Sequence, residues 1–262
     1  QRLNAMGFLS GREDGHLGPE TDKGLRDFQR NVGIRVDGVC GPATFRSLGQ
    51  LNRTAGRHSS QTVREKYSLP ELRTGVRGKI VVLDPAAVPE VDQVSIRADL
   101  CSDLASRIEG QLSAVGTRVL VTRSLSDPPS HSSSEADRAE FCNEVGADLV
   151  LTLSILDDAQ QQPGAATYFY GRDGGTISVP GHLAAQLILE GITERTALPN
   201  RAKHPKTWDM LRLTRMPTVR IVCGNVAHHD DSARLNDQQF IEDLARAIAD
   251  SVERFFSPEH VL

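Results

Sequence analysis

A small helical module followed by an α/β layered domain is the fold class this sequence predicts, on three observations. The turn-forming pattern D-G-x-x-G-P-x-T occurs twice near the start, as DGHLGPET from Asp14 and DGVCGPAT from Asp37. From Lys79 onward, short β-branched runs alternate with longer stretches whose apolar residues recur at helical spacing, which is the signature of strands and helices packed in layers. Between the two lies a Ser-, Arg- and Gly-containing stretch, residues 53–78, that reads as a linker with a possible short helix around Thr62 to Tyr67.

Each half of the first module is mechanically readable. Asp-Gly makes a tight turn, and Pro19 and Pro42 stand where the first turn of a helix tolerates a residue without an N–H. Thr21, Leu25 and Phe28 recur at helical spacing and are expected to share a core with Leu3, Met6 and Phe8, while Phe45 and Leu48 do the same in the second helix. A self-match of this kind marks a repeated supersecondary unit.

The second domain, taken as 79–262, begins with strand KIVVLD. A helix with the stripe Leu100, Leu104, Ile108, Leu112 follows, closed by Gly116. Strand TRVLVT precedes a polar loop, Pro128 to Ser134, whose last serines can cap a helix through Ala136, Ala139 and Val145 with Glu135 in its first turn. Strands ADLVLTLSI and ATYFY, a helix through Leu183, Leu187 and Ile192, strand TVRIVC and a final helix from Phe240 to Phe255 complete the unit.

Composition narrows the function classes. The chain has 262 residues, 39% hydrophobic and 24% charged, with a net charge of -4, so it offers no basic field for nucleic acid or anionic lipid. No apolar stretch approaches the roughly 20 residues that span a bilayer, and no charged-then-apolar leader opens the sequence. Gln1 falls in what reads as the middle of a helix, so the natural N-terminus is expected further upstream. Cys40, Cys101, Cys142 and Cys223 are widely spaced, with no C-x-x-C and no His at zinc-ligand spacing. They read as four separate buried thiols of a reduced, cytosolic protein, with one or two disulfides as the alternative.

RLNAMGF, DGHLGPET and LRDFQRNVGIRVDGVCGPATFRSL together resemble the three-helix peptidoglycan-binding module found beside cell-wall hydrolases, over about residues 1 to 52 with the first helix clipped. The resemblance implies a shallow groove for cell-wall peptide stems. The repeated residues are turn-formers, however, so a docking or spacer role stands beside the binding one.

IVVLDP, VLVTR, DRAEFCNEVGADLVLTLS and NRAKHPKTWDMLRLTRMPTVRIVCGNVAHHDD, in that order, resemble the zinc-dependent N-acetylmuramoyl-L-alanine amidase domain. The fold this implies is a three-layer α/β/α domain with a mostly parallel sheet. The activity it implies is cleavage of the amide between muramic acid and the peptide stem, by a zinc ion on two histidines and a glutamate with a second glutamate as acid/base. Carried over position by position, the resemblance finds none of these. Ala87 stands in DPAAVP where the family has the histidine of D-P-G-H-G-G, Arg97 where it has the metal-binding glutamate, Ser154 where it has the second histidine, and Val222 where it has the acid/base glutamate. Glu90 or Asp92 could lie near the Arg97 position. Even so, one carboxylate cannot replace two imidazoles, and zinc is expected to be absent.

Nothing else in the sequence rebuilds the chemistry. HHDD at 228–231 reads as a solvated loop because adjacent residues rarely converge on one tetrahedral ion. His131, His182 and His204 are isolated, and Ser154 lacks the G-x-S-x-G elbow of a hydrolytic serine. The pattern, including DLASRIEG and KTWDMLRLTRMPTV, is similar to that of the actinobacterial CwlM-type amidase-like proteins. That resemblance implies a catalytically inactive regulator inside the cell, activating UDP-N-acetylglucosamine enolpyruvyl transferase and tuned by phosphorylated tails. The chain ends at Leu262 soon after its last helix, so such a tail is expected to be missing. An exported peptidoglycan-binding wall protein and an amidase with an atypical site are the alternatives. Arg97, Trp208, Arg212 and Arg215 are the expected partner- or ligand-binding residues, because Arg and aromatic side chains concentrate at interface centres.

Overall fold

A computed structural model describes residues 3, 16–32, 34–55, 69–85, 94–122, 134–171 and 177–258, without side chains at 49–55 and 94–97. The elements are α1 (Pro19–Asn31), α2 (Pro42–Ala55), α3 (Leu69–Leu72), β1 (Ile80–Pro85), α4 (Val94–Ala114), β2 (Arg118–Val121), α5 (Glu135–Glu144), β3 (Leu149–Leu156), β4 (Ala165–Tyr170), α6 (Val179–Thr196), β5 (Asn200–Lys206), α7 (Asp209–Leu213), β6 (Thr218–Asn225), α8 (His229–Leu235) and α9 (Gln238–Phe256).

In the helical module, Pro19 and Pro42 open α1 and α2 as expected, and Phe28 and Leu48 form the buried centre with Leu3 and Val32. Gln29, fully buried, holds the second repeated turn. Its amide N–H groups donate to Asp37 Oδ1 (2.8 Å), the Val39 carbonyl (2.9 Å) and Thr44 Oγ1 (3.1 Å), while its oxygen accepts from the Asp37 and Gly38 N–H groups. Gly38 has φ +72°, and a Cβ there would lie 2.2 Å from Asp22, so the turn packs against α1 at glycine-only distance. Two expectations fail. Phe45 is 59% exposed, because the buried face of α2 runs through Thr44 and Leu48 one residue away. Cys40 is exposed in the same turn, whereas Cys101, Cys142 and Cys223 are buried and all four are free. Met6, Phe8 and the helix expected around residues 62–67 lie outside the described residues.

The larger unit is built on a six-stranded sheet, order β2-β1-β3-β6-β4-β5, parallel except between β4 and β6. Strand β5 and the short helix α7 are additions to the sequence reading: NRAKHPK carries too little apolar alternation to announce a strand. On one sheet face, α4, α6 and α9 bury Leu104, Ile108, Ile188, Ile192, Leu244 and Ile248 against the odd-numbered residues of β1, β3 and β6. On the other, α5, α7 and the turn before β6 cover Val82 and Val150 with Ala139, Cys142, Met210, Leu213 and Met216. Since side chains alternate along a strand, Asp84, Thr152, Ser154, Arg220 and Val222 also belong to this second face. Leu72, in the stretch read as linker, is fully buried in the main core, and the Gly75 N–H and Arg73 Nε donate to the carbonyls of Phe256 and Ser257 at the end of α9. Among the described residues no helix is long and apolar enough to cross a membrane.

Candidate functional site

The parallel strands β1, β3 and β6 end together, and the carboxyl edge they share is where open α/β sheets place their chemistry. Ser154 and Val222 are direct register partners on β3 and β6, both buried. Two neighbouring side chains on one face are thus a hydroxyl and an isopropyl group. Ala87 lies outside the described residues. Arg97 is on the first turn of α4, with its side chain not described.

One residue pair below that edge sits a buried carboxylate that the sequence reading passed over. Asp84 accepts from Thr122 Oγ1 (2.6 Å), Arg138 Nε (2.8 Å) and Thr152 Oγ1 (3.1 Å). Three donors, one of them a guanidinium, satisfy it and offset its charge, so it ties β1 to β3, α5 and the end of β2. The same carboxylate, after burial, helps push the Cys142 thiol far above its ordinary range. Cys223, on the other face of the sheet, is raised by burial and by nearby Cys101.

Lower on that face an aromatic and cationic cluster gathers. Tyr168 and Arg220 are register partners across β4 and β6, and both meet Trp208, with ring centroids 4.8 Å apart and the guanidinium 4.7 Å from the indole centroid. Arg220 pairs with Glu135, which also accepts the Met210 N–H (3.0 Å). Lys206 Nζ stands 6.0 Å from the indole and the His204 ring 5.4 Å from that of Tyr168.

Arg212 and Arg215, expected at an exposed contact surface, are instead bonded inside the chain to the helical module. Arg212 is 2% exposed, held between Asp27 of α1 and Asp209 (2.7 Å). Arg215 donates to the Arg30 carbonyl (3.3 Å), and burial lowers its pKa. The Leu213 carbonyl accepts from Asn31 (2.8 Å) and Asn143 (3.0 Å), one from each unit. Of the four expected contact residues, Trp208 and the clamped Arg212 line a cleft between α1 and the larger unit. In sequence, the signal for this clamp was two polar residues, Asp27 and Asn31, at i,i+4 beside the apolar positions of α1.

HHDD does not behave as the solvated loop expected. Its last three residues begin helix α8, and the four side chains do not converge on one point, although His229 Nδ1 lies 3.4 Å from Asp230 Oδ1. His228 bonds the Gln161 carbonyl (2.6 Å), His229 and Asp230 are exposed, and Asp231, fully buried, accepts the N–H groups of Gly164 (2.7 Å) and Asn225 (2.9 Å). His204 contacts the Arg201 carbonyl (2.8 Å), and His182 packs its ring on Phe169. His131 lies outside the described residues. Among those described, no group of three His, Cys, Asp or Glu residues is placed to hold a metal ion.

Comparison with known proteins gives the context. The N-acetylmuramoyl-L-alanine amidase (Amidase_3) family model matches residues 84–254, and a peptidoglycan-binding domain model matches residues 1–48. N-acetylmuramoyl-L-alanine amidase CwlM of Mycobacterium tuberculosis is 35% identical over 265 residues, covering 97% of this chain and 64% of that protein. Probable cell wall amidase LytH of Staphylococcus epidermidis is 24% identical over 210 residues, covering 78% of this chain and 66% of its own length. The chain thus spans slightly less than two thirds of either relative. Among solved structures, the amidase of Clostridium difficile 630 superposes with TM-score 0.61 at 20% identity, over 70% of this chain and 100% of that one. The amidase Ami1 of Mycobacterium smegmatis does so with 0.60 at 17% identity, over 70% and 99%; these likenesses concern the fold.

Proposed function

Because the chain belongs to the N-acetylmuramoyl-L-alanine amidase family, we propose that it is a member that binds rather than cuts. In this reading it is a cytoplasmic regulator of peptidoglycan precursor synthesis, acting by protein–protein contact on UDP-N-acetylglucosamine enolpyruvyl transferase. The observation that carries the reading is the pair Ser154 and Val222, side by side where the family resemblance puts an imidazole ligand and the acid/base carboxylate. A zinc ion that hydrolyses amides needs three protein donors and an open position. A hydroxyl, an isopropyl group and, by sequence, a methyl group and a guanidinium are not that donor set. The residues therefore do not fit zinc, and no hydrolytic step follows from them.

What remains is a folded surface. The extended similarity to CwlM supports a shared role, although that protein is named an amidase. The match of residues 1–48 to a peptidoglycan-binding domain favours a second reading, an exported wall protein that holds peptidoglycan without cutting it.

Metal analysis and turnover assays separate these readings. The purified protein is expected to carry substoichiometric zinc, to release no peptide from muropeptides and to raise the rate of the enolpyruvyl transferase. Stoichiometric zinc with peptide release would overturn the silent reading. Saturable binding to sacculi with an unchanged transferase rate would replace the regulator with the wall protein. The fourfold variant Ala87→His, Arg97→Glu, Ser154→His, Val222→Glu is the positive control, expected to gain zinc.

A further inference from the structure

We propose that the cleft between α1 and the Trp208 segment is a binding site for a neutral saccharide of one or two pyranose rings. It encloses about 560 Å³ and is lined by Glu20, Lys23 and Asp27 of α1 and by Glu135, Thr207, Trp208, Asp209 and Arg212 of the larger unit. That volume falls within the roughly 300–1,000 Å³ of small-molecule sites. It shares no residue with Ala87, Arg97, Ser154 or Val222, so it stands whether or not the chain is catalytically silent.

Three features define the ligand. The first is a supported aromatic platform. Tyr168 and Arg220 hold the indole of Trp208 from the sheet, and an immobilised indole presents a flat apolar surface that matches the C–H face of a pyranose ring. The second is a rim of polar groups already fixed in place: Asp27 and Asp209 on Arg212, and Glu135 on Arg220 and the Met210 N–H. Ionised carboxylates keep spare lone pairs for hydroxyl donors, and the Thr207 hydroxyl and Lys23 ammonium can donate to ring and hydroxyl oxygens. The third is charge. The lining sets four carboxylates, Glu20, Asp27, Glu135 and Asp209, against two cations, Lys23 and Arg212, and this acidic balance disfavours an anion such as a nucleotide sugar. Arg220 and Lys206, at 4.7 and 6.0 Å from the indole, disfavour an ammonium group on that ring. A neutral polyhydroxylated ring satisfies both constraints.

The cleft needs both units, because α1 reaches it through the Asp27 to Arg212 ion pair. Its ligand would therefore stabilise the docked arrangement.

Trp208 is the single tryptophan of the chain, so its fluorescence reports this cleft alone. Titration of the whole protein with the N-acetylglucosamine disaccharide is expected to shift or quench the emission saturably. UDP-N-acetylglucosamine is expected to bind more weakly than the disaccharide. By calorimetry, Trp208→Ala should lose about tenfold in affinity, equivalent to about 1.4 kcal/mol. Glu20→Gln, exposed on α1 and outside the clamp, should lose severalfold while leaving the melting temperature unchanged. The proposal is overturned by an unchanged emission with the disaccharide, by tighter binding of the nucleotide sugar, or by a response to stem peptide alone. It is also overturned if Trp208→Ala and Glu20→Gln both bind the disaccharide as the parent does. None of these results bears on zinc content or transferase activation, which decide the proposed function separately.

Discussion

Val222 and Ser154 show how much a single side chain settles. Both are buried and paired across β3 and β6, so an isopropyl group and a hydroxyl fill these places in the packed sheet, and on the function proposed above they remove ligand chemistry without disturbing packing. These identities are legible without coordinates once the family pattern is seen. The partners of Asp84 are not, because Thr122, Arg138 and Thr152 come from three separate segments. At this scale His182 yields a pH prediction. Burial first, then Lys203, lowers its pKa, and its ring lies edge-on to Phe169 at 5.0 Å. Above the ordinary histidine range, near pH 6.5, the ring is neutral folded or unfolded and costs nothing. As pH falls below that, the unfolded chain takes up the proton first, and stability is lost until the ring in the fold also protonates. The denaturation midpoint is expected to drop between pH 7 and 5, and His182→Asn is expected to flatten part of that drop in urea titrations at each pH.

Elements with strong periodicity are where sequence and structure agree. The stripe Leu104, Ile108, Leu112 becomes the buried face of α4, and Ser134 caps α5 in a reciprocal box with Asp137. Strand β5 escaped because an edge strand with one half-covered face needs few apolar residues. Phe45 misled because a one-residue change of phase moves a side chain by about 100° around a helix. The start of β4 depends on backbone geometry: Gly164 has φ +107°, and a Cβ would come within 2.2 Å of the Pro199 carbonyl oxygen. Its N–H also bonds Asp231. Gly164→Ala is expected to cost about 2–4 kcal/mol in chemical denaturation, from combined strain and steric conflict, with the α4 face of the core unaffected by near-ultraviolet dichroism.

Across the whole molecule, the helical module is docked through Asp27, Asn31 and Arg30 onto Arg212, Leu213 and Arg215. Removing one partner of a buried ion pair leaves the other charge without compensation, typically a loss of several kcal/mol. Arg212→Met is therefore expected to lower stability by about 3 kcal/mol, discounted little because Arg30 lies 3.4 Å from the other oxygen of Asp27 and is partly exposed. In hydrogen exchange, α1 amides should be protected with the core in the parent protein and should exchange earlier in the variant. Equal protection of α1 in both would mean that the module does not depend on this clamp.

The sequence by itself determined the two-unit order, the main strands and helices, and which residue types stand at the ends of β3 and β6, because periodicity, turn chemistry and residue identity are local properties. Only the tertiary structure decided that Arg212 and Arg215 face inward, that Asp84 is triply bonded, and that Trp208 meets α1 across a cleft. Those facts depend on which distant segments share a face of the sheet. That is fixed by how the layers bury their apolar area together, and no local stretch of chain encodes it.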